Sequence, residues 1–211
     1  MTSDSLEAHL QIKRYGDFTL TDAVRPAIEV PIRPREGYRL EVFRDSASRL
    51  RVPMLFASVS AEKLFDTFLA LLEPLGDTLH VVLESSHGRK DGSHVDYRRN
   101  RIDAPVLASH LCDFEDLILN DGCTGLAVLS ARGPMEVQFD EHKLFAIYSP
   151  KVNRFRRVFR EMGVRRRQVL PMLCEAEHLH YSNENYADQF EQLAMRIGVA
   201  DFESVPADEI E

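Results

Sequence analysis

A histidine-rich stretch near the end of the chain carries the side chains best suited to chemistry. Residues 175–180 are Glu-Ala-Glu-His-Leu-His. Alternate residues of an extended segment share a face, so His178 and His180 should point the same way, together with Cys174. Two imidazoles placed two residues apart on a strand can bind one metal ion and leave a third ligand to come from elsewhere. The sequence thus makes His178 and His180 candidate metal ligands or acid–base groups.

The first half of the chain offers a partner for this stretch. Glu84-x-x-His87 stands where Glu175-x-x-His178 stands in the second half. On an ideal strand Glu84 and His87 face opposite sides, so they converge only if the strand ends between them. The candidate metal or acid–base residues are therefore Glu84, His87, Glu175, His178 and His180. Their spacing matches no zinc motif. The alternative is therefore that the histidines of this set lie at strand ends and have no chemical role.

A second candidate site is the stretch from Ser86 to Asn100. It is rich in Gly, Asp, Arg and Lys and is predicted to be a polar loop. Loops of this length are often functional, and the second half has a much shorter segment at the matching place. The candidate binding residues of the loop are Arg89, His94, Asp96 and Arg98. The alternative is a solvated surface loop.

A third candidate is a basic segment, residues 151–167. It holds eight Lys and Arg residues and one Glu, a net charge of +7 over 17 residues. Its candidate phosphate-contacting face consists of Arg154, Arg157, Arg160, Arg165, Arg166 and Arg167. Residues 175–211 hold ten acidic residues and one Arg, so charge pairing within the fold or with a protein partner is favoured over nucleic acid. The net charge of −8 for the whole chain also disfavours nucleic acid.

The elements that position these residues follow the same order in both halves, β-β-β-α-β-α. Leu55-Phe56-Ala57-x-x-Ser60 returns as Leu144-Phe145-Ala146-x-x-Ser149, each time where an apolar strand runs into a helix. Strands are predicted over 27–32, 38–43, 50–59, 78–83, 125–129, 135–139, 143–148 and 168–175, and helices after Ser60, Asp103, Ser149 and Ser182 or Asn183.

This repetition predicts an α+β fold made by tandem duplication. The first unit covers 27–122 and the second 123–200, and each has a mostly antiparallel sheet with helices packed on one face. A pseudo-two-fold axis would relate the units, whether they form two domains or one compact domain. Residues 1–26 are predicted to be an N-terminal arm or short helix, and 201–211 an acidic tail. The alternative is one α+β domain with coincidental similarity.

Bulk composition and absent motifs limit the function. The mean hydropathy is −0.26, no apolar run approaches the ~20 residues that span a bilayer, and the polar start lacks the apolar core of a signal peptide. The three cysteines form no Cys-x-x-Cys pair, which indicates free thiols in a reducing compartment. Glycine-rich nucleotide-binding motifs and Gly-x-Ser-x-Gly are also missing. We therefore expect a soluble cytoplasmic protein that does not contact membranes.

Three functions remain open on these grounds. The leading prediction is a non-catalytic interaction or regulatory protein that needs no cofactor and binds a protein partner or itself. The first alternative is a metal-dependent enzyme that uses a divalent ion in a His/Glu cluster between the two units. The second alternative is phosphate or nucleic-acid binding through the basic segment.

Overall fold

Strands and helices both contribute substantially to this chain. The computed structural model describes residues 9–28, 30, 32–44, 51–89 and 93–199. The strands are β1 (Arg14–Tyr15), β2 (Phe18–Thr19), β3 (Val24–Pro26), β4 (Gly37–Arg44), β5 (Arg51–Ser58), β6 (Thr78–Ser85), β7 (Val95–Asp103), β8 (Thr124–Ser130), β9 (Glu136–Phe139), β10 (Leu144–Tyr148) and β11 (His178–His180). The α-helices are α1 (Ala61–Leu72), α2 (Ala104–Asp113), α3 (Glu115–Asn120), α4 (Val152–Glu161) and α5 (Glu184–Ile197).

One seven-stranded sheet organises the fold. Its strand order is β4-β5-β10-β9-β8-β6-β7, and every neighbouring pair is antiparallel. Two small pairs lie outside it, the hairpin β1–β2 and the antiparallel pair β3–β11. The predicted mixed α and β class with a mostly antiparallel sheet is confirmed. The sheet takes strands from both predicted units, which share it instead of each having its own.

The five α-helices with bounds among the described residues pack with one face of this sheet into a single hydrophobic core. Helix α1 shows why: its buried residues recur three and four apart, so one stripe of the helix faces inward. Phe68 of this stripe is fully buried, and its ring centroid lies 5.0 Å from that of Phe139 and 6.1 Å from that of Phe145. Truncation of such a side chain to Ala typically costs about 3–5 kcal/mol. The opposite face is partly covered, with Leu170 and Met172 packed against Leu144.

The two matching Leu-Phe-Ala stretches lie on neighbouring strands, β5 and β10. Leu55 pairs with Ile147, and Leu144 pairs with Ser58. Leu55 and Leu144 are 89 residues apart, and so are Ser58 and Ile147. The second pair is therefore the first pair with the two strands exchanged. Helix α1 follows β5, and α4 follows β10 in the same way. This local arrangement is compatible with a two-fold relation, but the tandem duplication itself stays a prediction.

Two predicted strands are absent from the described residues. Residues 168–175 contain a short 3₁₀ turn, Leu173–Glu175, because Pro171 offers no N–H to a neighbouring strand and the alternating Leu170 and Met172 bury against the sheet instead. The described residues of 27–32 also form no strand. The pairing occurs slightly earlier, where Val24–Pro26 meets β11.

The polar stretch from Ser86 to Asn100 is only partly a loop. From Val95 onward it forms β7, an edge strand paired with β6 from Ser85↔Val95 to Thr78↔Asp103. Its outward positions are charged, as is common for the edge of a sheet, and this hid the strand in the sequence.

The ends of the chain differ from expectation or lie outside the described residues. The described part of the predicted arm, 9–26, contains β1, β2 and β3, and Phe18 and Val24 bury against Leu173. Residues 1–8 and the predicted tail 201–211 are outside the described part. Within the part that is described, no helix has both the length and the apolar character needed to cross a bilayer.

Candidate metal centre

Three histidines, two from strand β11 and one from a distant turn, meet at one point. The Nε2 atom of His178 lies 3.0 Å from Nε2 of His142 and 3.0 Å from Nε2 of His180. The three ring centroids are 4.7–4.9 Å apart in every pair, so the rings form a nearly equilateral cluster. A metal ion bound tetrahedrally at about 2.05 Å would separate such nitrogens by about 3.3 Å. The cluster therefore has nearly the dimensions of a three-histidine metal site.

The other nitrogen of each ring decides which tautomer is present. Nδ1 of His178 lies 2.6 Å from the carbonyl oxygen of Ala176, and Nδ1 of His180 lies 2.7 Å from that of Gly122. A carbonyl oxygen can only accept, so each Nδ1 carries the proton and each neutral ring has a lone pair on Nε2.

His142 is held in the same tautomer. Its Nδ1 lies 3.1 Å from a carboxylate oxygen of Asp140, so this nitrogen too is the donor. Three Nε2 lone pairs thus face one another at close range. In the absence of a cation they repel unless one ring takes up an additional proton. A metal ion between them would accept all three lone pairs. In such sites each ligating imidazole usually donates its other ring N–H to an acceptor behind it.

Strand pairing sets the direction of His178 and His180. They face Pro26 and Val24 across β11–β3, and as alternate residues of a strand they share one side. The carbonyl that holds His180 belongs to Gly122, just after helix α3. A Cβ at this glycine would lie 2.3 Å from the Ala23 carbonyl oxygen, so only glycine allows the close backbone approach.

A tight turn between β9 and β10 presents His142. Asp140 closes the turn, because its Oδ1 accepts a hydrogen bond of 2.8 Å from the Leu144 N–H while its Oδ2 holds the His142 ring. Lys143 completes the turn at φ 62°, a region that non-glycine residues rarely occupy. Its buried ammonium donates a 2.8 Å hydrogen bond to the carbonyl oxygen of Thr124, which anchors the turn to β8.

Acidic side chains surround the histidine cluster. Burial raises the pKa of Glu84 to about 7, and the carboxylates of Asp96, Glu141 and Asp140 add to the effect. Burial also acts to raise the pKa of Glu141, but a backbone hydrogen bond and the neighbouring imidazoles, His142 first among them, bring it below its usual range. This concentration of negative charge favours a bound cation.

Burial and charge act differently on the individual imidazoles. Burial favours the neutral form of His142, but its hydrogen bond and charge interaction with Asp140 outweigh this and raise its pKa. Burial lowers the pKa of His180, and the other two imidazoles add to the decrease although the Gly122 carbonyl opposes it. Burial also lowers the pKa of Lys143 to about 8, against the opposing effect of Asp121 and other nearby acids.

The remaining members of the predicted His/Glu set lie elsewhere. The Glu175 carboxylate pairs with the Arg39 guanidinium and accepts a hydrogen bond from the Met172 N–H. His87 lies beside Asp121, with its Nε2 3.0 Å from the carboxylate, and belongs to a different cluster. Glu84 on β6 interacts with Asp140 and Glu141, and these two acids help to raise its pKa.

The predicted loop residues lie in three places. His94 approaches the acidic rim of the histidine cluster, with its Nε2 3.8 Å from Glu141. Asp96 and Arg98 lie on strand β7, opposite Glu84 and Val82. Arg89 donates a hydrogen bond to Ser93 within the loop.

The basic segment lines a separate groove of about 810 Å³. Its lining includes Arg157, Arg160, Arg165 and Arg166 of the predicted face, together with Arg156 and Tyr38. Arg157 pairs with Glu161, and the Arg167 side chain donates to the carbonyl of Glu36, while Arg154 is exposed on α4. Among the described residues, no ion pair joins residues 151–167 to the acidic residues of 175–199.

His142 is the functional candidate that sequence reasoning missed. It lies 36 residues before His178, in a turn predicted only as a connection between strands. The local signal was Asp140-x-His142, a carboxylate two residues before an imidazole in a tight turn. That pattern is common in turns and does not by itself reveal a third ligand.

Comparisons with known proteins add no further assignment. Neither the family models, nor the curated proteins, nor the solved structures include a match to this chain.

Proposed function

We propose that this protein is a metal-dependent enzyme of hydrolytic type, with a Zn²⁺ ion bound by His142, His178 and His180. The convergence of three Nε2 lone pairs, each fixed by an acceptor at Nδ1, is the observation that carries the proposal. Imidazole suits zinc and other late first-row divalent ions, and zinc tolerates the near-equilateral arrangement without a strong geometric preference.

Three protein ligands favour a catalytic role over a structural one. Structural zinc sites are closed by four protein ligands, whereas catalytic sites keep one position for water or substrate. His178 is half-buried, and His180 is exposed over part of its surface although its ring is partly buried at the cluster, so the open position would be accessible from solvent. Zinc lowers the pKa of bound water to about 7, which supplies a nucleophile for ester, phosphoester or amide bonds at neutral pH.

Glu84 is the best candidate for proton transfer in such a reaction. Its pKa of about 7 allows it to accept and release a proton at neutral pH, and its charge interacts with Asp140 and Glu141 at the rim of the histidine cluster. Glu84→Gln should therefore lower kcat while leaving metal content unchanged. Loss of metal in this variant would assign Glu84 to metal binding instead.

The metal is tested by elemental analysis of protein purified without a metal-affinity step and reconstituted with Zn²⁺. Wild type should contain one equivalent more than His142→Ala, and His110→Ala on helix α2 serves as the matched control. Equal metal content in wild type and His142→Ala would contradict the proposal. Catalysis is tested with chromogenic ester, phosphoester and amide substrates, and should be lost with EDTA and restored by Zn²⁺.

A second candidate function is anion binding through the basic groove. Five arginines line the groove with Tyr38 beside them, and only Arg157 of these forms an ion pair among the described residues. Binding of a labelled oligonucleotide should weaken steeply with salt and fall in Arg160→Ala/Arg166→Ala. Arg132→Ala, on the turn after β8, is the control. Binding that ignores salt, or none at all, would end this candidate.

The remaining expectations stay proposals. A non-catalytic interaction role in a reducing cytoplasm is compatible with the missing motifs and with the separation of basic and acidic charge in the C-terminal half, but no contact among the described residues specifically favours it over metal binding. Tandem duplication is supported by the symmetric pairing of β5 with β10 and by the helix that follows each strand. The histidine cluster draws on β11, the β9–β10 turn and the carbonyl of Gly122, so it would lie mainly within the second unit.

A further inference from the structure

A second group of metal-ligating side chains lies close to the histidine cluster. Ligand atoms of His87, Asp121 and Cys123 are all within 4.8 Å of one another. His87 follows strand β6, whereas Asp121 and Cys123 flank Gly122 between α3 and β8. Imidazole, carboxylate and thiolate are the three ligand types that proteins offer to zinc.

Two buried atoms of this group lack hydrogen-bond partners. Asp121 is fully buried. Its Oδ1 atom and the Ser182 hydroxyl both lack an aligned hydrogen bond among the described residues, although the two side chains interact. Nε2 of His87 lies 3.0 Å from Oδ2 of Asp121, yet without the alignment of a hydrogen bond. Buried polar atoms are nearly always satisfied, and leaving one unpaired costs about 1–3 kcal/mol. Oδ1 of Asp121 and Nε2 of His87 thus lie close together without an aligned hydrogen bond, and both are of metal-ligating type.

The surroundings hold these ligands in place. Nδ1 of His87 is 2.8 Å from the Ser85 hydroxyl, which also accepts from the His87 backbone N–H, so the ring orientation is fixed. Oδ2 of Asp121 accepts from the hydroxyl of Thr124. Burial opposes ionisation of Asp121, but contacts with neighbouring polar side chains, His87 first, keep its pKa below the usual range.

We propose that His87, Asp121 and Cys123 bind a second divalent transition-metal ion. The Cys123 thiol would release its proton to solvent on binding, because the thiolate is the ligating form. Asp121 and the thiolate would then supply two negative charges to balance the ion. Imidazole and thiolate together favour Zn²⁺, Co²⁺ or a similar ion over Mg²⁺ or Ca²⁺.

The backbone connects this second site to the histidine cluster. The carbonyl of Gly122, between Asp121 and Cys123, accepts the hydrogen bond from Nδ1 of His180. A metal that fixes the 121–123 segment would therefore also orient a ligand of the first site. The second site does not depend on the first, because the two share no ligand.

Cobalt substitution separates the two sites, since a thiolate ligand gives a near-ultraviolet charge-transfer band and imidazoles do not. The test uses the double variant Cys112→Ser/Cys174→Ser, in which Cys123 is the remaining cysteine. Titration of metal-free protein with Co²⁺ should give two equivalents, one of which produces the band. Adding Cys123→Ser should remove the band and one equivalent. His142→Ala should remove the other equivalent and keep the band.

Each outcome assigns or rejects the second site. Absence of the band in the double variant overturns the proposal, and this result needs no change at Cys123, so misfolding of a Cys123 variant cannot explain it. A band that survives Cys123→Ser also overturns it. If only the histidine site is wrong, the protein binds one equivalent of Co²⁺ with the band, and His142→Ala changes neither the band nor the amount of Co²⁺ bound. If the second alone is wrong, one equivalent binds without a band.

Discussion

Zinc binding at the histidine cluster should raise the thermal stability of the protein by a predictable amount. A ligand that binds only the folded state at 1,000 times its Kd stabilises that state by about 4.1 kcal/mol. For a chain of this size, 1 kcal/mol shifts Tm by about 2–4 °C. The shift on adding Zn²⁺ to metal-free protein should therefore be about 8–16 °C at this saturation. The Cys123→Ser background removes any contribution from the second proposed site.

Removal of one ligand should abolish most of this shift. Four-ligand zinc sites bind with about 10–16 kcal/mol, or roughly 2.5–4 kcal/mol per ligand, so His142→Ala should weaken binding on the order of 100–1,000-fold. At the same zinc concentration the stabilisation then falls to about 0.4–1.4 kcal/mol. The Nε2 atoms of His178 and His180 remain 3.0 Å apart and account for the residual binding.

The assay is thermal unfolding followed by circular dichroism, with and without Zn²⁺. Mg²⁺ at the same concentration is the control ion, because it prefers oxygen ligands and should not shift Tm. His110→Ala should behave like wild type. An equal zinc-induced shift in the Cys123→Ser protein with and without His142→Ala would contradict the histidine site, because the stabilisation would then come from elsewhere.

Three further predictions concern residues around the histidine cluster. Asp140→Asn should lower zinc affinity about 10–100-fold by weakening the acceptor behind His142, as measured by competition with a chelating dye; unchanged affinity would contradict this role. Gly122→Ala should lower the free energy of unfolding, measured by urea denaturation, by about 1–3 kcal/mol, because its Cβ would collide with a backbone carbonyl. Gly133→Ala is the control and should be nearly neutral, because its Cβ meets nothing within 4 Å. Glu84 keeps a proton in the folded metal-free protein between pH about 4.5 and about 7, so its contribution to stability is lost as pH rises through that window. Glu84→Gln should therefore stabilise the metal-free protein by at most about 3 kcal/mol at pH 8 and hardly at all at pH 4.5, and a gain independent of pH would reject this explanation.

Local periodicity predicted the elements that make the core. The apolar alternation of 55–59 and 144–148 and the three-and-four spacing along α1 each reflect burial on one face, and the structure has β5, β10 and α1 there. Periodicity gave the wrong element where side chains are buried without strand pairing, or where a strand pairs although its side chains are not buried. Leu170 and Met172 alternate like a strand but bury without a pairing partner, and β7 pairs although its outward side chains are charged.

The candidate site could be predicted only in part. Spacing alone brought His178 and His180 to one side of a strand, because that relation lies within three residues. The third imidazole depends on where β10 and β11 lie in space, which is set by sheet order and by the β3–β11 pair. The sequence contains no local signal for such a contact, and the same holds for the approach of His87 to Asp121.

X-ray absorption at the zinc edge measures the number and type of ligands around the bound ion. On the Cys123→Ser protein loaded with one equivalent of Zn²⁺, the account predicts a first shell of nitrogen and oxygen only, with imidazole scattering from three histidines at about 2.0–2.1 Å. The same measurement on His142→Ala should show one imidazole fewer. A first shell with one histidine or none in the Cys123→Ser protein would contradict the assignment of His142, His178 and His180 as the ligands.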